Sequence, residues 1–223
     1  MRSILIIGGG AAGMLAAIAA ARRGARVRIL ERMQRVGKKL LATGNGRCNL
    51  TNLYHRTTHY HGESPEFVSG IFDQFGVDET LHFFEELGIV WYAEPDGKVF
   101  PKTNQASNVL DVLRYEMERL GVDINADLRA QHLRRTSDGW VCHCTDGEEF
   151  GPVDAVIVAA GGMAAPNLGS NGGGFKLART LGHRIVEPFP ALVQINLDVP
   201  WRKRLDGLKT NAAVTMLLDG VPL

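Results

Sequence analysis

Ile4-Leu5-Ile6-Ile7-Gly8-Gly9-Gly10-Ala11-Ala12-Gly13 is the stretch on which the reading of the whole chain turns. The four apolar residues suit a strand buried on both faces. The glycines then match G-x-G-x-x-G at Gly8, Gly10 and Gly13. At these points Gly8 permits a tight turn, Gly10 leaves room for a pyrophosphate against the backbone, and Gly13 lets a helix sit close to the strand. Residues 11–23 are nearly all good helix formers, and Gly24 is placed to end them. The free N–H groups of Ala11 and Ala12 and the positive end of that helix would face phosphates. Val27-Arg28-Ile29-Leu30 reads as a second strand, with Glu31 at its end. An acid about 20 residues past the glycines can accept hydrogen bonds from a ribose 2′-hydroxyl. It favours a free hydroxyl over a 2′-phosphate, as in NAD or the adenosine half of FAD, and does not separate those two.

Composition sets the bounds. The chain has 223 residues, 45% of them hydrophobic, and a formal charge of +1. That is enough for one large domain or one and a half with an ample core. The charge offers no electrostatic case for nucleic acid or a membrane surface. The apolar run at the N-terminus is broken by glycines, so neither a signal peptide nor a membrane span is expected. Three cysteines without framework spacing point to a reducing cytosol, and hence a cytoplasmic protein.

The segment after Glu31 is unusual. Thr43-Gly44-Asn45-Gly46-Arg47-Cys48-Asn49-Leu50-Thr51-Asn52 packs two glycines, three asparagines, two threonines and an arginine into ten residues. It is a loop dense in hydrogen-bonding groups, too polar for a core. Together with the glycine turn and Glu31, it resembles the flavoproteins of the HI0933-like family, the BaiN or YhiN type. That family's members include NAD(P)/FAD-dependent oxidoreductases with bile-acid reductase and aminoacetone oxidase assignments.

The resemblance implies a glutathione-reductase-type FAD/NAD(P)-binding Rossmann domain of the α/β class. It puts Gly8, Gly10, Ala11, Ala12 and Gly13 at the cofactor, with Glu31 and Arg32 beside them. Lys38, Gly44, Asn45, Arg47, Cys48 and Asn49 would lie along the FAD, near its diphosphate and flavin ring. Arg47 would be the charge partner of a phosphate or of a reduced flavin. The backbone near Ala130 would meet the adenine. Ala159-Ala160-Gly161-Gly162 matches the second FAD signature, with Ala160 and Gly161 at the cofactor. This signature favours FAD over a nicotinamide-only dehydrogenase. The family usually carries Gly-Asp-Gly where this chain reads Gly172-Gly173-Gly174, so Gly173 departs from it.

The remaining elements follow from pattern. Residues 66–75 read as a short helix. A second helix has Asp78 as N-cap, Leu81, Phe84 and Leu87 on one face, and Gly88 at its end. Residues 91–101 form strand and turn, and residues 106–120 an amphipathic helix. Val122-Asp123-Ile124 reads as a third parallel strand. Residues 128–135 and 140–144, with turns after each, read as an antiparallel β-meander used as a crossover. Residues 153–160 form the next buried run, and 175–181 a helix. His55, His59 and His61 sit in a polar loop with no Cys, Asp or further His to support a metal, and Cys142 and Cys144 read as packed thiols, so no metal site is expected.

Glu187-Pro188-Phe189-Pro190 marks the boundary between a cofactor-binding domain, 1–188, and the start of a mostly β domain, 189–223. Strands are expected over 191–199 and 209–218 there. The resemblance covers about the first half of a usual member, which implies a fragment or a split gene product with a complementing polypeptide. The expected function is an FAD-dependent oxidoreductase that transfers hydride through flavin N5 between a donor, NAD(P)H among the options, and an unsaturated small molecule or oxygen. Open alternatives are an NAD-only dehydrogenase and a non-catalytic fragment. An RNA-modifying flavoprotein is disfavoured by the near-neutral charge. No catalytic residue is assigned.

Overall fold

A computed structural model describes residues 1–190, 200, 204 and 213–222. The chain runs β1 (Ser3–Ile7), α1 (Ala11–Arg22), β2 (Arg26–Leu30), β3 (Thr51–Asn52), α2 (Ser69–Phe72), α3 (Val77–Glu86), β4 (Trp91–Ala93), β5 (Lys98–Pro101) and α4 (Ala106–Arg119). It continues through β6 (Asp123–Asn125), β7 (Ala130–Thr136), β8 (Gly139–Cys144), β9 (Glu149–Val153), β10 (Ala155–Val158) and α5 (Gly173–Thr180). A short hairpin of β11 (Leu217–Leu218) and β12 (Val221–Pro222) follows.

The central sheet has the order β10-β1-β2-β6, and all of its pairings are parallel. Because side chains alternate along a strand, its residues divide between two cores. Ile6, Val27 and Ile29 face α1 and α4, where Met14, Ala17, Ile18, Val109, Leu110, Leu113 and Met117 are buried. Leu5, Ile7 and Leu30 face the opposite way, toward Leu133, Cys142, Cys144 and Phe150 of the meander and Leu177 of α5. The meander is the antiparallel sheet β7-β8-β9, inserted between β6 and β10. This is the Rossmann-type α/β fold with a meander crossover. A further antiparallel sheet, β3-β5-β4, buries Val99 and Phe100.

An ion cluster ties three helices together. The carboxylate of Glu116 on α4 is 7% exposed and accepts from Arg22 Nε at 2.9 Å and Arg119 Nε at 2.7 Å. Arg22 also reaches Glu86 on α3 at 3.0 Å. The hydrogen bond from Arg119, joined by that from Arg22, holds the Glu116 carboxyl down at about 2.

Several elements differ from expectation. The helix α3 is preceded by Gly76, whose N–H donates to the Glu79 carboxylate at 2.8 Å, so Asp78 lies inside the first turn and is not the N-cap. Its buried residues are Leu81, Phe83 and Phe84, while Leu87 has moved to the C-cap. Residues 66–75 do not make one helix. A 3-10 turn at Pro65–Val68 leads into the single turn of α2, because Phe67, Ile71 and Phe75 find no core and stay exposed. The run 153–160 is half-exposed, since among the described residues β10 pairs with β1 alone. Thr51–Asn52, read as loop, is a strand paired with β5.

By contact the chain divides into the units Met1–Pro188 and Phe189–Leu223. The strand expected over 191–199 lies outside the described residues, as does the one over 209–218 up to residue 212. The described remainder is irregular to Met216 and then enters β11. Among the described residues, no helix is long and apolar enough to cross a membrane.

Candidate functional site: a cleft at the glycine turn

The carboxyl ends of β1, β2 and β10 open into a cleft of about 450 Å³. In open parallel sheets this edge is where ligands bind. The glycine turn forms its floor, and each glycine answers to a different neighbour. Gly8 has φ of +104°, and a Cβ there would lie 2.6 Å from the Ala159 carbonyl oxygen. The turn therefore requires glycine twice over, for its backbone and for its approach to the loop after β10. At Gly10 an added Cβ meets nothing within 4 Å, so the space in front of the α1 N-terminus is open. At Gly13 it would lie 1.8 Å from the Gly8 carbonyl oxygen. Gly13 thus seats the helix and does not line the cleft.

Glu31 is 8% exposed and built into the turn. Its Oε2 accepts the Gly9 N–H at 2.7 Å and its Oε1 accepts the Met33 N–H at 2.8 Å. Its backbone is held by Asn125 O and the Leu128 N–H. Each oxygen retains acceptor capacity for a further donor. Gly9, unmarked by the fingerprint, supplies this bond, and its ideal Cβ would strike Val36 at 2.4 Å.

Gly8, Gly10, Ala11, Ala12, Glu31, Arg32, Lys38, Cys48, Asn49, Ala130, Ala160 and Gly161 all line the cleft. Sequence reasoning missed Met33, Lys39, Arg129, Ser170 and Asn171, which line it too. Met33, Lys39 and Arg129 adjoin expected positions, whereas Ser170 and Asn171 come from a loop that only the fold brings in. The charged lining consists of Arg32, Lys38, Lys39 and Arg129 against Glu31, an excess of cations that suits a diphosphate. Arg32 donates through Nη2 to Pro166 O at 3.0 Å, while its Nε is buried with no hydrogen-bond partner among the described residues. Beyond α1 the cleft turns apolar, with Leu50, Phe75, Phe83 and Phe84. At the start of α5, where the family acid is missing, the Gly173 N–H donates to Asn171 Oδ1 at 3.3 Å.

Gly44, Asn45 and Arg47 do not line the cleft. The loop turns away through left-handed residues: Gly44 at φ +56°, Asn45 at +58°, Gly46 at +83° and Cys48 at +62°. For a residue with a Cβ such a conformation costs about 1–2 kcal/mol. Arg47, expected at a phosphate or a reduced flavin, donates to Glu94 Oε1 at 2.7 Å and lies over the Phe100 ring, 3.8 Å from its centroid. A carboxylate and an aromatic face thus both engage its guanidinium within the protein. Cys48 is buried, and that burial pushes its thiol up. Away from the cleft, His55 packs on Phe72 with ring centroids 3.9 Å apart.

Comparison with known proteins places the chain in a family and a fold. Residues 2–217 match the HI0933-like protein Rossmann domain. The chain is 46% identical over 220 residues to the 3-dehydro-bile acid delta(4,6)-reductase of Clostridium scindens, covering 98% of this chain and 53% of that protein. It is 28% identical over 204 residues to the ribosomal RNA dihydrouridine synthase of Escherichia coli, covering 92% of this chain and 50% of that protein. The chain thus spans about half the length of the curated relatives it matches. Among solved structures, the open conformation of a flavocytochrome c3 fumarate reductase shares the fold, at a TM-score of 0.54 and 20% identity over 81% of this chain and 40% of that one. The chain belongs to the HI0933-like Rossmann-domain family.

Proposed function

We propose that the cleft holds FAD and that the chain is the cofactor-binding part of a flavin-dependent oxidoreductase that reduces an electron-poor carbon–carbon double bond. The observation that carries this reading is the cleft itself. It has open space at Gly10, a held acid at Glu31, four cations and a length that continues past the dinucleotide turn into an apolar end. Bound there, FAD would supply hydride transfer through its N5, with NAD(P)H as the donor.

The chain's own residues bind and orient. Glu31 accepts hydrogen bonds from the ribose hydroxyls with its oxygens already fixed by Gly9 and Met33. The N–H groups of Ala11 and Ala12, with Lys38 and Lys39, neutralise the diphosphate. Ala130 and Arg32, whose Nε lacks an acceptor among the described residues, serve the adenosine end. Cys48, Asn49, Ala160 and Gly161 serve the flavin end. The free cysteines suit a reducing cytoplasm.

The names of the relatives support the reaction class. A delta(4,6)-reductase acts on unsaturation, and dihydrouridine is uridine with one ring double bond saturated beside a carbonyl. The second name also favours a second reading of the substrate, a uridine held in RNA. A net charge of +1 does not exclude it, because phosphate contacts depend on local basic residues, so the expectation of no nucleic acid is withdrawn.

The test is a visible absorption spectrum of the purified chain after FAD is added and excess removed, followed by anaerobic NADH or NADPH. Retained flavin that bleaches with a nicotinamide donor is the expected result. Calorimetric binding of NAD with no flavin retained would overturn it. Salt-sensitive retention of ribosomal RNA on a filter would select the RNA substrate, and its absence the small molecule.

A further inference from the structure

The loop from Thr43 to Cys48 has a composition and a backbone that the cleft alone does not explain. Thr43 is extended, and the residues after it visit the left-handed region four times, twice without a glycine. Two backbone bonds close it, from Cys48 N–H to Thr43 O at 3.0 Å and from Arg47 N–H to Gly44 O at 3.3 Å. Strain of this kind persists only where the surroundings hold it. Thr43, Cys48 and Asn49 face the cleft, whereas Arg47 points away from it into the β4–β5 hairpin.

Arg47 is held there by several partners. Its Nη1 donates to Glu94 Oε1 at 2.7 Å and lies 3.5 Å from the Tyr92 hydroxyl. Its Nε turns back to the Gly44 carbonyl at 3.4 Å, and its guanidinium covers Phe100. Phe100 is 1% exposed and also sets the space at Gly44, where an added Cβ would lie 2.9 Å from its ring. The Tyr92 hydroxyl donates onward to Asn104 Oδ1 at 2.7 Å. One arginine therefore joins the strained loop to the small sheet by charge and by ring stacking, while its contact with Gly44 braces the loop from within.

We propose that Glu94 and Phe100 use Arg47 as a clasp that fixes the loop and so places Cys48 and Asn49 at the cleft wall. Arg47 and Glu94 are positioning residues, and the arginine charge is spent within the protein and not on a cofactor phosphate. The effect on cofactor binding rests on the FAD reading above, whereas the effect on the loop does not.

The experiment reads both. Each of the three thiols is buried, so iodoacetamide labelling mapped by mass spectrometry reports the loop through Cys48 and the overall fold through Cys142 and Cys144. In the cofactor-free chain, Glu94→Gln and Arg47→Met raise Cys48 labelling about tenfold, as expected for loss of one charge-assisted hydrogen bond, with Cys142 and Cys144 unchanged. FAD retention falls by a similar factor in both, and the double variant is no weaker than Arg47→Met alone. Unchanged Cys48 labelling overturns the clasp. So does tighter FAD binding in Glu94→Gln, the result if an arginine freed from Glu94 turned to the cofactor. Should all three thiols react, the fold has opened. Arg47→Lys, which keeps a cation over Phe100 but loses the fork, is then measured, and it must fall between wild type and Arg47→Met at Cys48 alone. A wild-type chain that retains no FAD overturns the cofactor reading, while the labelling still decides the clasp.

Discussion

At Gly10 a methyl group would enter empty space, and at Gly13 it would collide with a backbone oxygen. The two substitutions should therefore separate binding from folding. Gly10→Ala is expected to keep its melting temperature and to lose FAD affinity about tenfold or more, the scale set by displacing a ligand from close backbone contact. Gly13→Ala is expected to lose stability by roughly 1–3 kcal/mol, as overpacking does. Paired thermal melts and flavin titrations distinguish them, and equal loss of stability in both would contradict the geometry. Glu31→Gln places an amide where two backbone N–H groups expect acceptors. One of those donors is left unpaired, at about 1–3 kcal/mol, and a urea titration measures it. The fingerprint glycines and the acid were legible in the sequence because each has a local reason to be what it is. Gly9 was not, because its partner stands 22 positions away and nothing nearby signals it. Nor were the partners of Arg47 legible, because only the fold brings Glu94 and Phe100 beside it.

The helices α1, α3 and α4 meet at a buried carboxylate, and this joint has a pH signature. The Glu116 carboxyl is lowered from 4.5 to about 2 in the folded chain. A lowered folded value means that the pair stabilises fully above the ordinary carboxylate range and that its contribution is lost as pH falls from 4.5 toward about 2. Chemical melts across that window should show stability declining on acidification, and Glu116→Gln should flatten this part of the decline. A decline of the same size in the variant would place its source elsewhere. The helices and the parallel strands followed from period, because β1, β2 and α4 carry clean apolar patterns. The short elements did not. Thr51–Asn52 becomes a strand only because β5 lies beside it, and residues 66–75 fail to form one helix because no core receives Phe67 and Phe75. Elements whose shape is imposed from outside leave little trace in their own residues.

For the molecule as a whole, a ligand that fills the cleft should bind the folded state alone. FAD at a hundredfold excess over its dissociation constant would then add about 2.7 kcal/mol of stability, and NAD at the same concentration would add less, since it leaves the apolar end empty. Differential scanning fluorimetry with each cofactor is the measurement, and equal shifts would count against FAD. The fold class could be read before any coordinates, since strand, glycine turn, helix and strand admit few topologies. The apolar end of the cleft could not, because Leu50, Phe75, Phe83 and Phe84 come from three separate segments.

The arrangement of the central sheet also bears on how the chain is made. Strand β1 is flanked by β2 and β10, and Ser3 is bonded to Asp154, 151 positions later. A ribosome adding about 5–20 residues per second needs roughly eight to thirty seconds to produce that partner. Throughout that interval the nascent chain carries an apolar strand with one flank open. The Gly8 turn also lacks the Ala159 backbone that closes it. The glycine turn is thus completed only once β10 and the residues after it have been made, more than 150 positions downstream of β1.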